Sequence, residues 1–196
     1  MIKIDKFATN YLNFLSSSLL KSNFQNLDKS VSLILKKIKN KNSIYICGNG
    51  GSAAIANHYV VDFLKFFKEK TNLKPKIYSL SNSIETITAI SNDLNYSKVF
   101  SYQADSFCNK NDLLIIVSSS GNSKNIINLL KFSKRKKIST IGFSGFDGGY
   151  LKKNCDISVH VDAKNYGIAE DTHHILMHIQ LQYLIYKISK KKSIWL

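Results

Sequence analysis

Five short apolar runs punctuate the chain from residue 43 onward, at Ile44–Cys47, Lys76–Leu80, Leu113–Val117, Ile138–Phe143 and Ile157–Val161. Each is too short for a helix, and segments with apolar residues three and four apart separate them. Strands separated by helices are joined by crossovers and so run parallel, and a parallel sheet must be covered on both faces. The pattern predicts an α/β fold: a three-layer αβα sandwich around a five-stranded parallel sheet, with a ligand crevice at the carboxyl ends of the strands. Two further helical patterns, Lys6–Leu20 and Phe24–Lys39, come before the first strand. At 196 residues the chain supports one full core. No repeat, linker or low-complexity segment divides it, and the only Pro, Pro75, sits just before the second strand. The expectation is a single domain over 1–196, with N-terminal helices over 1–40 and an α/β core over 43–196.

Two of the predicted strands run into Gly/Ser turns. Cys47-Gly48-Asn49-Gly50-Gly51-Ser52 follows the first and opens a helix from Ala53 to about Phe67; Ser118-Ser119-Ser120-Gly121-Asn122-Ser123 follows the third and opens another. A strand, a small-residue turn and a helix start place bare backbone N–H groups and the positive end of a helix dipole at one point, which suits an anion or a polyol. The second turn adds four serine hydroxyls, which match the acceptor oxygens of a phosphate monoester. Ser, Asn and Gly also cap helices and make turns without any ligand, but two such turns in one short chain point to a small-molecule site.

The net charge of +15 would ordinarily suggest nucleic acid. The lysines, however, are spread along a chain also rich in Asn and Ile, a compositional bias rather than a binding face. The local run Lys134-Arg135-Lys136-Lys137 falls where a helix should end, and cations there complement the dipole; Lys190-Lys191-Lys192 is a tail. Nucleic acid is therefore discounted, though the positive field favours capture of phosphorylated substrates. No apolar run reaches the roughly 20 residues that span a bilayer, and Met1-Ile2-Lys3-Ile4-Asp5 lacks the apolar region of a signal peptide, so a cytoplasmic protein is expected. Cys47, Cys108 and Cys155 are odd in number and show no metal-ligand spacing, and are read as buried thiols. Leu12, Phe14, Leu15, Leu19 and Leu20 make the first helix more apolar than a monomer requires, which suggests oligomerisation through the N-terminal helices.

Taken together, these segments resemble the sugar isomerase (SIS) domain family, and within it the phosphoheptose isomerases, over nearly the whole chain. The resemblance is carried by Cys47 to Ser52, His58 with an acidic residue four later, Asn92-Asp93, Ser118 to Ser123, Asp147-Gly148-Gly149, and a C-terminal helix of about Ile168–Lys190 bearing His178. It implies a flavodoxin-like sheet and a homotetramer with sites between subunits, where His178 of one chain would meet Asp62 of another. It also implies aldose–ketose isomerisation of sedoheptulose 7-phosphate through an enediol, toward bacterial surface polysaccharide. By the same resemblance, Asn49, Gly50, Gly51 and Ser52 would touch the substrate, Asn92 and Asp93 would hold its hydroxyls, and Ser118, Ser119, Ser120 and Ser123 would bind its phosphate. His58, Asp62, Glu170 and His178 match the zinc and acid/base positions, with Glu170 also at the substrate.

An enediol mechanism needs one group to take the carbon-bound proton and another to serve the carbonyl oxygen; Asp62 and His178 are the expected pair. His58 and Asp62, four apart on one helix, share a face and can hold one metal ion together, although a surface His–Asp pair would look the same. The chain departs from the family at two of these positions: Asp62 stands for the usual glutamate, and Glu170 for the usual glutamine. A base one methylene shorter reaches about an angstrom less far, a displacement that can cost on the order of a hundredfold. Glu170 adds a charge that either tightens cation binding or raises the pKa of a neighbouring carboxylate. On an ideal helix Glu170 and His178 lie about 80° apart, whereas His174 and His178 are one turn apart and aligned. Helical geometry thus favours His174 and the motif favours His178; His173 and His174 are expected to be packing or interface residues. The departures also leave two non-enzymatic readings, a SIS protein like the tetrameric adaptor that binds the replication initiator DnaA and a sugar-phosphate sensor.

Overall fold

The computed structural model describes residues 2–189. The elements run in the order α1 (Ile4–Leu20), α2 (Phe24–Lys39), β1 (Ser43–Gly48), α3 (Gly51–Asp62), a π-helical turn (Phe63–Phe67), α4 (Lys68–Thr71), β2 (Lys76–Ser79), α5 (Ile84–Asp93), a 3₁₀ turn (Tyr96–Lys98), α6 (Val99–Phe107), β3 (Leu113–Ser118), α7 (Lys124–Lys136), β4 (Ser139–Ser144), α8 (Gly149–Asn154), β5 (Ile157–His160) and α9 (Tyr166–Ser189). The expected Lys190 end of α9 and the Lys190–Lys192 run lie outside the described residues.

The strands form one parallel sheet of order β2-β1-β3-β4-β5, the flavodoxin-like arrangement. Its direction of growth reverses between β1 and β3, and an open α/β sheet leaves its ligand crevice at such a reversal. In β1 and β3 the side chains alternate between two cores, as a period of two demands. Ile44, Ile46, Leu113, Ile115 and Val117 face one layer, where α2, α3 and α9 supply Val31, Ile34, Ile55, Tyr59, Leu176 and Leu184. Tyr45, Cys47, Leu114 and Ile116 face the other, where α6, α7 and α8 supply Phe100, Ala104, Ile126, Leu129 and Leu151. Each large side chain removed from water contributes about 1.5–3 kcal/mol.

The segment expected as one helix from Ala53 to about Phe67 is interrupted. α3 ends at Asp62 and the backbone passes through the π-helical turn Phe63–Phe67, where Phe63 and Phe67 are both fully buried. One extra residue per turn brings both rings into the core, and π-turns of this kind are frequent at functional sites.

The apolar residues of the N-terminal helix divide between two surroundings. Leu15 and Leu19 pack onto the chain's own core, while Leu12, Phe14 and Leu20 stand 59%, 66% and 78% exposed. Cys47 is buried and Cys108 and Cys155 are half-buried, all three free. Burial pushes all three thiols upward, Cys108 to about 12, so none is a thiolate at neutral pH. Among the described residues no helix is long and apolar enough to cross a membrane.

Candidate active site

Both Gly/Ser turns lie at the sheet's point of reversal. Gly48, at the end of β1, pairs with Val117, one residue before the end of β3. In the first turn Gly50 has φ +53° and ψ −124°, open to glycine and strained for any other residue. A Cβ on Gly51 would overlap the Glu170 carboxylate, so Glu170, reaching over from α9, rests on the N-terminus of α3. Burial, followed by the nearby Asp171 charge, raises its pKa above the usual carboxylate value. Ser52 is buried.

The second turn is built differently. Gly121 has φ +64° and a Cβ there would overlap the Gly148 carbonyl oxygen, so the serine loop lies flat against the loop Gly145–Gly149. Asn122 Oδ1 accepts from the Tyr150 N–H at 2.8 Å, and Gly149 N–H donates to Asp147 Oδ1 at 3.2 Å. Ser118 Oγ accepts from Gly121 N–H at 3.2 Å and Ser120 Oγ from Asn122 N–H at 3.3 Å. Two hydroxyls remain: Ser119 Oγ is buried with no partner, and Ser123, at the N-cap of α7, makes no capping hydrogen bond with its side chain. A buried hydroxyl left unbonded beside a helix N-terminus suits an anion that accepts it.

Asn49 links the turns. Its Nδ2 donates to Asn125 Oδ1 at 3.0 Å, while its Oδ1 accepts from Asn125 Nδ2 at 2.9 Å and from the Tyr96 hydroxyl at 2.8 Å. Asn125 and Tyr96 were missed at the sequence level, since neither carries a motif. Asn92 and Asp93 are exposed at the end of α5, and among the described residues their side chains hydrogen-bond only to each other, at 2.9 Å.

Further along α3, His58 and Asp62 share one face as their spacing of four requires. Asp62 is only 4% exposed. Its Oδ1 lies 3.5 Å from His58 Nε2 and its Oδ2 3.4 Å from His178 Nε2, and the two Nε2 atoms are 3.2 Å apart. Thus Asp62 and His178 meet within a single chain, and no second subunit is needed to bring them together. His174, expected as a packing or interface residue, stands in the same cluster. Its ring centroid is 4.7 Å from that of His58 and 4.5 Å from that of His178, and the three histidines each offer a nitrogen within 4.8 Å of the others. Burial, then the neighbouring His178 and His58, lowers its pKa. Glu170, over the first turn, is not in that set. His173 points the other way, buried and edge-on to Phe143.

The alignment of α3 with α9 rests on a buried polar relay one or two residues from the site. The Tyr59 hydroxyl donates to Gln180 Oε1, and Gln180 Nε2 donates to Ser30 Oγ on α2. Tyr11 on α1 donates to Asp171 at 2.6 Å, the main reason its own pKa is pushed up to about 12. Satisfied buried networks of this kind fix one arrangement of packed helices.

The cluster fits a divalent cation. Asp62 Oδ2 and His174 Nε2 are both buried without a hydrogen-bond partner, a state that a cation relieves. Imidazole and carboxylate bonds to zinc of about 2.0–2.1 Å in a tetrahedron put neighbouring ligand atoms about 3.3 Å apart, close to the 3.2, 3.4 and 3.5 Å separations here.

Comparison with known proteins agrees with the fold. The profile of the SIS domain matches residues 7–145. The phosphoheptose isomerase of Aliarcobacter butzleri is 36% identical over 163 residues, covering 83% of this chain and 86% of the relative. Among solved structures, phosphoheptose isomerase GmhA from Neisseria gonorrhoeae superposes with a TM-score of 0.81 at 26% identity, over 92% of this chain and 98% of that one. A phosphoheptose isomerase from Francisella tularensis, 23% identical, shares the fold with a TM-score of 0.86 over 95% of this chain and 100% of that one.

Proposed function

The chain belongs to the SIS-domain family, and on that premise we propose that it interconverts the aldose and ketose forms of a phosphorylated sugar, sedoheptulose 7-phosphate or a close relative, for surface-polysaccharide heptose. It is an isomerase of a sugar phosphate, as its relatives' names state for them. The observation that carries the reading is the buried Asp62 carboxylate within 3.5 Å of two imidazoles, on the helix that begins at the first turn and beside a hydroxyl-lined second turn. One end of the crevice thus offers a base and the other an anion seat.

In this reading Ser118, Ser119, Ser120 and Ser123 and the α7 N-terminus hold the phosphate. Ser52 and the backbone at Gly50 and Gly51 line the sugar, and Glu170 accepts a sugar hydroxyl; Asn49 orients the two turns. Asp62 takes the proton from the carbon next to the carbonyl, and the carbonyl oxygen receives a proton from His178. The product is an enediol, and return of the first proton to the neighbouring carbon, with loss of a hydroxyl proton to His178, completes the exchange without net oxidation. With a cation bound at the His58 and His178 imidazoles beside Asp62, zinc by its donors, Lewis-acid polarisation of the carbonyl oxygen would take the place of the His178 proton. Asn92 and Asp93, exposed at the end of α5, hold sugar hydroxyls. Exposed Leu12, Phe14 and Leu20 on α1, with Val61, Leu64 and Phe66 flanking Asp62, support a homotetramer. A charged sugar phosphate as substrate supports a cytoplasmic place.

The test is NMR of sedoheptulose 7-phosphate in deuterium oxide with wild type, Asp62→Asn and His178→Ala. Solvent deuterium entering at C1 or C2 with wild type alone supports the assignment. Undiminished exchange in Asp62→Asn would remove Asp62 as the base, and no exchange with any phosphorylated ketose would overturn the isomerase reading.

A further inference from the structure

We infer that His174 is a cation ligand in this chain, so that three imidazoles, those of His58, His174 and His178, hold the metal and Glu170 does not. This deepens the proposed function, since it rests on that site holding a divalent cation. His174 is one helical turn before His178 and shares its face, whereas Glu170, two turns before, is rotated by about 80°. The three ring nitrogens are mutually close, and His174 Nε2 is buried with nothing to bond. Glu170 has another position to fill, against Gly51 at the N-terminus of α3, where the helix dipole favours a negative charge.

The ligand exchange has chemical consequences. Two imidazoles and two carboxylates would neutralise a divalent cation, whereas three imidazoles leave its charge uncompensated except by Asp62 alongside. Three neutral nitrogen donors with an open fourth position are the arrangement of a catalytic rather than a structural zinc site. The open position can take a substrate oxygen, and Asp62 is then free to move a proton instead of being tied as a permanent ligand. Nitrogen donors also shift preference away from magnesium and calcium toward zinc, cobalt and nickel.

The experiment is zinc affinity by competition with a chromophoric chelator, with the visible absorption of the cobalt(II)-loaded protein as a second readout. It uses the full chain with His174→Ala, His174→Gln, Glu170→Gln and His58→Ala, each checked for native circular dichroism. Loss of a ligand should weaken zinc by about a hundredfold or more, beyond what loss of a supporting group costs. The expected result is that both His174 variants fall by that amount and change the cobalt bands, as His58→Ala does, while Glu170→Gln stays within about twofold. Weakening by Glu170→Gln, with His174→Gln unchanged, overturns the inference, as does equal weakening by both. If wild type and His58→Ala bind zinc equally poorly, the cation site itself fails, while deuterium exchange into sugar phosphate still judges the isomerase separately.

Discussion

The turns after β1 and β3 are built from one plan and used in two ways. Each leaves a parallel strand at the sheet's reversal, bends through a glycine of positive φ, Gly50 at +53° and Gly121 at +64°, and starts a helix that has no acidic residue in its first turn and no side-chain cap. Both helix ends therefore favour negative charge. At α3 the chain supplies that charge itself, through Glu170 against Gly51; at α7 it supplies hydroxyls, one buried and unbonded. A glycine of positive φ in each turn thus leads to unequal sites, because side chains from distant elements decide which helix end remains for a ligand. In the proposed reading the occupied end lies toward the sugar, and the open one suits the phosphate.

The division of labour is broken most severely at its reactive end. Asp62→Asn should lower kcat by about a thousandfold with little change in KM, measured by steady-state turnover of sedoheptulose 7-phosphate; a change confined to KM would place Asp62 in binding instead. Next come the two glycines. Gly121→Ala meets the Gly148 carbonyl, whereas a Cβ on Gly50 finds nothing within 4 Å. Urea denaturation should show a loss of about 3 kcal/mol or more for Gly121→Ala and about 1–2 kcal/mol for Gly50→Ala, where only backbone strain is added. Equal losses would mean that the second turn is not pinned by its neighbour.

Ser119→Ala should raise KM about tenfold while kcat holds, the loss of one charge-assisted hydrogen bond to phosphate. A fall in kcat alone would move phosphate binding elsewhere. The smallest effect belongs to Glu170. Its pKa is raised in the fold, so the native state holds that proton more tightly than the unfolded chain, and stability is lost as pH rises through the folded value. Glu170→Gln removes that loss. The variant should melt slightly higher than wild type at neutral pH, and the difference should vanish below about pH 4, where the carboxyl is protonated in both states. A variant that melts lower at neutral pH would show that the helix dipole outweighs burial there.

Much of this arrangement is readable in the residues. Short, continuous apolar runs at Ile44 to Cys47 and Leu113 to Val117, set between helical patterns, predict a parallel sheet with two covered faces, and the serine and glycine turns mark its ligand edge. The spacing of four places His58 beside Asp62 on one helix face. What could not be read involves contacts between segments far apart in the chain. The angular argument on α9 pointed to His174, the motif pointed to His178, and the fold brings in both while sending Glu170 to the other helix's end. Leu15 and Leu19 turn inward and Leu12 and Phe14 outward according to how α1 lies on α9, and the π-helical turn after Asp62 appears only because Phe63 and Phe67 both find room in the core. Periodicity and turn chemistry are properties of neighbouring residues, so the sequence alone determined the sheet, its two turns and the His58–Asp62 pair. Where α9 crosses α3 is decided by the close packing of a shared core and by the Tyr59–Gln180–Ser30 relay, whose partners lie 121 and 150 residues apart. Only the tertiary structure could therefore decide which histidines face the carboxylate.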